Sequence, residues 1–326
     1  MVLPANSIPR FYRGGAAIAA LRGSADAPER EPEEWVGSAT TVFGEQELGL
    51  SRLPDGQLLR DAMAADPVDF FGPDHAARRG ADPQLLVKLL DAGERLPVHV
   101  HPDDAFAREA LGSPYGKTEA WIVIATAGPA ATVQVGFRDD VSAATLERWV
   151  RDQDGRAMLD ALNTLELHVG DAVLVPAGTA HAIEAGVLVV ELQQPTDLSI
   201  LLEWQGFAGS EDEASLGLGW EVALECVDRS ATDPSRLHGR RLPADATPFF
   251  GAELIEAAGS AELGRGFAIL VFTEGEAVLH SDDGEPLRVG RGDTVLVPWS
   301  AGDCRLEGEA AAVACRPPIA DPEGAL

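Results

Sequence analysis

The phrase Gly-Asp-x-Val-Leu-Val-Pro occurs twice, at residues 170–176 and 292–298, and each copy sits in a longer collinear match of 165–186 with 287–308. Upstream, residues 120–135 echo 267–281, each a pair of apolar runs around a glycine. Self-similarity on this scale marks one structural unit present twice. Within each unit a Gly-Asp turn, a β-branched run and a closing proline specify a strand, since proline ends pairing by lacking an N–H. Further short runs of the same type lie at 39–43, 85–90, 98–102, 131–137, 186–194 and 311–316. With 34 glycines and 22 prolines to turn the chain, these predict a mostly β protein of two related barrels with a few helices. At 326 residues there is ample chain for a large core.

Two segments read as helices: 140–163, with Ser142 as N-cap, and 103–112. Residues 205–245, rich in Gly, Asp, Glu and Pro, read as a linker. The expected organisation is a first domain over 1–204 carrying the helical insertion, the linker, and a second domain over 246–326.

The formal charge of −28 argues against nucleic acid or an anionic membrane as partner, because those surfaces require clustered Lys and Arg. The chain holds just two lysines, Lys88 and Lys117, with arginine at every other basic position. Lysine offers a compact ammonium whose pKa can be tuned, which arginine does not. Three scattered cysteines form neither a disulfide framework nor a metal knuckle. The run at 15–23 is too short and too late for a signal peptide, and no stretch approaches a membrane span of about 18 apolar residues. A reducing cytoplasm is the expected compartment.

Two of the seven histidines, His99 and His101, stand two residues apart in a short β-like run. Alternation along a strand puts them on one face, where they can hold one ion. Glu119 heads the next strand, and His181 opens a strand after a glycine-containing turn in the first repeat. Three imidazoles and one carboxylate form a mixed N/O site for Zn²⁺ or another first-row divalent ion. His75, His168, His238 and His280, each isolated, read as surface or hydrogen-bonded residues. Aligned on the repeat, the second copy has Asp303 opposite His181 and Gly266 opposite Glu119, so it is expected to be metal-free.

The segments 84–104, 115–121 and 170–197, together with Trp35-Val-Gly-Ser, resemble the class I mannose-6-phosphate isomerases of the cupin superfamily in their short bacterial form. The resemblance is strongest over 84–200 and collinear over the rest. It implies a double cupin: a catalytic jelly-roll barrel with one metal and a degenerate C-terminal cupin. It also implies reversible aldose–ketose isomerisation of mannose 6-phosphate to fructose 6-phosphate with zinc. Carried over by motif, the metal ligands fall on His99, His101, Glu119 and His181, the motif lysines on Lys88 and Lys117, and a base on Glu191. Two positions depart from the pattern. His99 stands where the family usually has glutamine, a change that favours Mn²⁺, Fe²⁺ or Ni²⁺ beside Zn²⁺. Leu201 stands where it has an active-site arginine, which bears on whether the sugar is phosphorylated. The expected partner is a small sugar or sugar phosphate. The alternative readings are a non-catalytic sugar-binding cupin and a metal-dependent oxidoreductase of the three-His, one-Glu type. Oligomeric state is not set by any of these features.

Overall fold

Three antiparallel sheets organise the chain, as seen in a computed structural model that describes residues 1–282 and 284–318. The last eight residues of the expected second domain, 319–326, lie outside the described residues. The strands of the first 250 residues are β1 (Ser7–Ile8), β2 (Glu33–Val36), β3 (Leu86–Ala92), β4 (His99–Val100), β5 (Glu119–Thr126), β6 (Ala131–Phe137), β7 (Leu162–Leu167), β8 (Ala172–Val175), β9 (His181–Ile183), β10 (Val187–Gln193), β11 (Ile200–Leu201) and β12 (His238–Gly239). They form a seven-stranded sheet, β1-β2-β3-β10-β5-β8-β12, and a five-stranded sheet, β11-β4-β9-β6-β7. The third sheet contains β13 (Gly251–Leu263), β14 (Ala268–Ser281), β15 (Leu287–Gly290), β16 (Thr294–Val297) and β17 (Cys304–Arg316).

The seven-stranded sheet is buried on both faces, which is why β10 reads as a continuous apolar run interrupted only by Glu191 and Gln193. Alternation assigns the faces. Val187 and Val189 join Trp121, Val123, Val173 and Ile183 in a core between the first two sheets. Leu188, Val190 and Leu192 join Leu89, Ile122 and Leu174 in a core shared with Phe267, Ile269, Val271 and Leu296 of the third sheet. The third sheet closes over its own core of Leu270, Phe272, Val295, Val297 and Leu306. Each fully buried Val, Leu, Ile or Phe contributes about 1.5–3 kcal/mol, so the shared core holds the two halves together.

The repeat is visible as matched turns. His168 N donates to Asp171 Oδ2 at 2.8 Å before β8, and Gly290 N donates to Asp293 Oδ2 at 2.8 Å before β16. Gly170 and Gly292, with φ of +86° and +91°, supply the left-handed residue each turn requires. The copies differ upstream. In the first, the glycine turn separates β5 from β6, which belong to different sheets. In the second, the two expected runs are one continuous strand, β14, with a bulge between Phe272 and Glu274.

Several other local expectations are corrected. Residues 39–43 form no strand, and this segment instead lies along the mouth of a cavity described below. The helices are α1 (Ala16–Arg22), α2 (Leu59–Ala65), α3 (Pro67–Phe71), α4 (Pro73–Arg79), α5 (Asp104–Leu111), α6 (Ala143–Asp152), α7 (Gly155–Ala161), α8 (Glu211–Ala214) and α9 (Trp220–Ala223). The expected helix over 140–163 is thus two. Ser142 caps α6, but Gln153 turns left-handed at φ +52° and Asp154 caps a new helix through Ala157 N at 3.0 Å. Asn163 falls in β7. Residues 205–245 carry α8, α9, short 3₁₀ turns and β12, whose His238 and Gly239 pair with Val173 and Ala172.

Candidate active site and metal centre

Strand register carries the site residues to one place. Across the seven-stranded sheet, Trp35, Lys88, Glu191 and Trp121 are directly opposed in one row on the face that looks into the first barrel. Glu119 lies on the same face two residues from Trp121 along β5, opposite Gln193. On the facing sheet a second row runs Leu201, His99, His181 and Val135. His101 follows β4 in a loop pinned from two sides. Its carbonyl accepts from Gly178 N at 2.7 Å, and Pro102 O accepts from Lys117 N at 2.8 Å. Gly116 must be a glycine for that second link, because a Cβ there would lie 2.3 Å from Pro102 O.

His99, His101 and His181 are all buried, with ring nitrogens close enough to share one ion. Each Nδ1 is 2.8 Å from a backbone carbonyl, of Pro97, Leu198 and Thr179 respectively. A carbonyl only accepts, so each Nδ1 carries the hydrogen and each Nε2 is left with its lone pair. Two of those lone pairs meet Glu119, whose carboxylate is 3.2 Å from His101 Nε2 and 3.3 Å from His181 Nε2, and His99 joins them in the three-histidine group. His181 Nε2 is buried without a hydrogen-bond partner. Buried lone pairs that face one another are favourable only around a cation; the Lys117 ammonium reaches His101 Nε2 and Glu119 but leaves His181 Nε2 without one, and the backbone-held Nδ1–H is the usual support for a ligating imidazole. The donor set therefore fits a divalent metal ion. Burial, then the neighbouring His181 and His101, push the His99 pKa down. Burial and Lys117 push His101 down to about 3, so both rings are neutral. Burial opposes ionisation of Glu119, but Lys117 and His101 outweigh it and hold its carboxyl well below the usual range.

Both lysines are buried in the same cavity, which measures 270 Å³. Lys117 Nζ lies 2.8 Å from Glu119, 3.1 Å from His101 Nε2 and 3.9 Å from Glu191. Lys88 Nζ lies 3.4 Å from Glu191 and 3.5 Å from Glu33, beneath the face of Trp35 at 4.9 Å. Burial raises the Glu191 pKa; Lys88 and Lys117 pull it down, Glu119 pushes it up, and the net direction is upward. Glu191 Oε1 is buried and makes no hydrogen bond. Lys88, His99, Lys117, Glu119 and Glu191 thus line one cavity, with His101 and His181 behind them against Glu119, while His75, His168, His238 and His280 contact Asp82, Asp171 or Glu307 elsewhere.

Sequence reasoning missed Arg10, Tyr12, Glu33 and Asp197. Arg10 forks onto Asp197 at 3.0 and 2.6 Å, and its Nε lies 2.9 Å from Glu33. Glu33 also accepts from Tyr12 Oη at 2.6 Å and Trp35 Nε1 at 2.7 Å. Burial works against its charge, but Arg10 and Lys88 hold its pKa far below the carboxylate range. Arg10 carried no signal among 23 arginines; Glu33, two residues before Trp35 on one strand face, was the one that alternation could have found.

No family model matches the chain. Among curated proteins it is 33% identical over 188 residues to GmuF of Bacillus subtilis, a probable mannose-6-phosphate isomerase, covering 56% of the chain and 55% of that protein. It is 28% identical over 237 residues to the mannose-6-phosphate isomerase ManA of the same organism, covering 69% of the chain and 72% of that protein. The match to the first therefore spans about half that relative's length. A proposed mannosephosphate isomerase from Archaeoglobus fulgidus superposes with a TM-score of 0.79 at 25% identity, over 97% of this chain and 96% of that one. The chain is thus similar in sequence and in fold to mannose-6-phosphate isomerases. The mannose 6-phosphate isomerase of Bacillus subtilis shares its fold end to end, with a TM-score of 0.77 at 23% identity over 97% and 98% of the two chains. Against that background the two departures from the isomerase pattern are neighbours: Leu201 on β11 is directly opposed to His99 on β4.

Proposed function

We propose that this protein is a metal-dependent isomerase that interconverts an aldose and its 2-ketose through a cis-enediol. Mannose 6-phosphate and fructose 6-phosphate, the pair implied by the relatives' names, are the first to assay. The observation that carries the reading is a buried cluster of three imidazoles and Glu119 at the base of a cavity that Glu191 also lines, with Glu191 Oε1 buried beside two lysines and making no hydrogen bond. His99, His101, Glu119 and His181 would hold the ion, with Zn²⁺ first and Mn²⁺, Fe²⁺ or Ni²⁺ as alternatives. Bound there, a divalent ion supplies electrophilic polarisation of the sugar carbonyl and the adjacent hydroxyl.

The chain's own residues do the rest. Glu191 removes the proton from C2 of the aldose and returns it to C1, which requires a base whose pKa is lifted toward neutrality, the direction its burial gives. Lys117, whose ammonium lies 3.9 Å from Glu191, steadies the developing oxyanion and moves a proton between the two oxygens. Lys88 sets the charge of Glu191 from 3.4 Å. Leu90, Leu96 and Ile183 on the walls exclude water from the enediol. The three cysteines, none in a disulfide, fit a cytoplasmic setting. No described helix is long and apolar enough to cross a membrane.

A proton NMR time course in D₂O tests the proposal. Metal-loaded protein should wash deuterium into C1 or C2 of a substrate sugar, and Glu191→Gln should stop the exchange with the metal still bound. Absence of exchange with every aldose and aldose 6-phosphate would overturn it.

A further inference from the structure

Glu33 on β2 is buried and lines the cavity, yet no step of the proposed chemistry uses it. Two hydrogen bonds and an ion pair fix its carboxylate. Oε1 accepts from Tyr12 Oη at 2.6 Å and faces Arg10 Nε at 2.9 Å, while Oε2 accepts from Trp35 Nε1 at 2.7 Å. Held in this way, Oε2 also meets Lys88 Nζ at 3.5 Å. Strand β3 runs between β2 and β10, so Lys88 has a carboxylate from each neighbouring strand, with Glu191 Oε1 at 3.4 Å. Both separations exceed the roughly 2.7–3.2 Å of an N–H···O hydrogen bond. The ammonium is therefore divided between two carboxylates and closed onto neither, with the face of Trp35 4.9 Å away.

That division keeps the base accessible. Glu191 Oε1 is buried and makes no hydrogen bond. The charged groups that bear on Glu191 are Lys88 from β3, Glu119 and the preceding Lys117 at the head of β5, and Glu33 from β2, with the Tyr12 hydroxyl in the same wall. Lys117 is drawn to Glu119 at 2.8 Å and stays 3.9 Å from Glu191. Lys88 is the nearer ammonium, and Glu33 is the carboxylate that draws it the other way. Without the charge of Glu33, the buried ammonium closes onto its one remaining carboxylate, because attraction in a low-dielectric site grows as the pair shortens. A carboxylate so closed has its charged form stabilised and becomes the weaker base.

We infer that Glu33 is a positioning residue for the base: it holds Lys88 back from Glu191 and so leaves Glu191 Oε1 open toward the sugar carbon. The inference rests on the isomerase reading and adds to it the residue that keeps the base free.

A double-substitution cycle on the metal-loaded protein tests this with two readouts. The first is kcat and KM on mannose 6-phosphate against pH. The second is the carboxyl ¹³C titration of Glu191, its signal assigned by its loss in Glu191→Gln. Glu33→Gln should lower kcat about tenfold, leave KM within about twofold, and move the acid limb of kcat to lower pH. The Glu191 signal should titrate at lower pH in step. Any direct field of Glu33 on Glu191 survives removal of the lysine, whereas action through Lys88 does not. In a Lys88→Met background Glu33→Gln should therefore move the Glu191 titration by less than half as much. Should Glu33→Gln fail to fold, Tyr12→Phe removes one of the two hydrogen bonds to Glu33 and should shift both readouts in the same direction by less. Equal shifts in the two backgrounds, or a Glu191 titration that neither variant moves, would overturn the inference and leave Glu33 a structural partner of Arg10 and Lys88. Wild-type protein that turns over no sugar would strike the isomerase reading instead, and the carboxyl titration would still decide whether Glu33 restrains Lys88.

Discussion

The two copies of the repeat share a turn and differ in everything chemical. Both begin a strand with an aspartate that accepts from a backbone N–H three residues earlier, and both end it at proline. The first copy then places His181 next to His99, whereas the second has Asp303, which accepts from Arg265 N at 2.9 Å in an exposed loop. The first also breaks its upstream hairpin so that β5 and β6 enter different sheets and enclose a cavity. In the second the equivalent residues are one long strand paired to β17, and its interior is filled by Leu270, Phe272 and Val295. The same local code therefore serves either enclosure or packing, and the connection between two strands decides which.

Six substitutions put that contrast under strain. The largest effect is expected at the ligand cluster: His181→Ala should abolish both metal binding, read by elemental analysis, and turnover, while Asp303→Ala should change neither. Glu191→Gln should reduce turnover by roughly 10²–10⁴-fold with metal content unchanged, as expected for a lost general base. Leu270→Ala, in the packed copy, should lower unfolding free energy by about 2–5 kcal/mol in a denaturant titration, with one metal per chain retained in the folded fraction. The smallest effects concern the shared turn. Asp293→Ala should cost about 1 kcal/mol, and Asp171→Ala more, because Asp171 also pairs with Arg240 at 3.0 Å and His238 at 3.3 Å. Burial raises the Asp171 pKa, but the His168 N–H, Arg240 and His238 outweigh it and the net shift is downward. Its stabilisation is thus complete above the ordinary aspartate pKa near about 4 and fades as pH falls below that, so the Asp171→Ala penalty should shrink on acidification. Equal penalties for the two aspartates at neutral pH would mean the side-chain partners of Asp171 add nothing.

Strand content, the duplicated unit and the grouping of His99, His101 and His181 were legible because each rests on a short-range rule. Alternation put His99 and His101 together, and the turn signals bracketed His181. Segments governed by longer-range effects were not. Residues 39–43 look like a strand but pair with none: Val42 N donates to Leu48 O within its own loop at 2.8 Å and Phe43 N to Asp197 Oδ2 at 3.2 Å, while Ser38 N, just before them, donates to Ser51 Oγ. The helix over 140–163 breaks because Gln153 satisfies the backbone of Leu202, Trp204 and Gln205, partners about fifty residues away. Arg10 was invisible for the same reason: its partner Asp197 is 187 residues distant.

The start of the chain is stitched into its last sheet. The Met1 amino group donates to Leu296 O at 2.8 Å, Leu3 N donates to Thr294 O at 2.8 Å, and Val2 bridges to Val295. During synthesis those acceptors leave the ribosome nearly three hundred residues after their donors. The segment that carries Arg10, Phe11 and Tyr12 to the cavity is held by nearer partners, with Ser7 and Ile8 opposite Glu34 and Glu33 and Arg10 N donating to Arg30 O at 3.1 Å. The site's wall at Arg10 therefore needs no residue beyond Asp197 to be tied down, and within that segment only Met1, Val2 and Leu3 depend on the C-terminal sheet for their backbone partners.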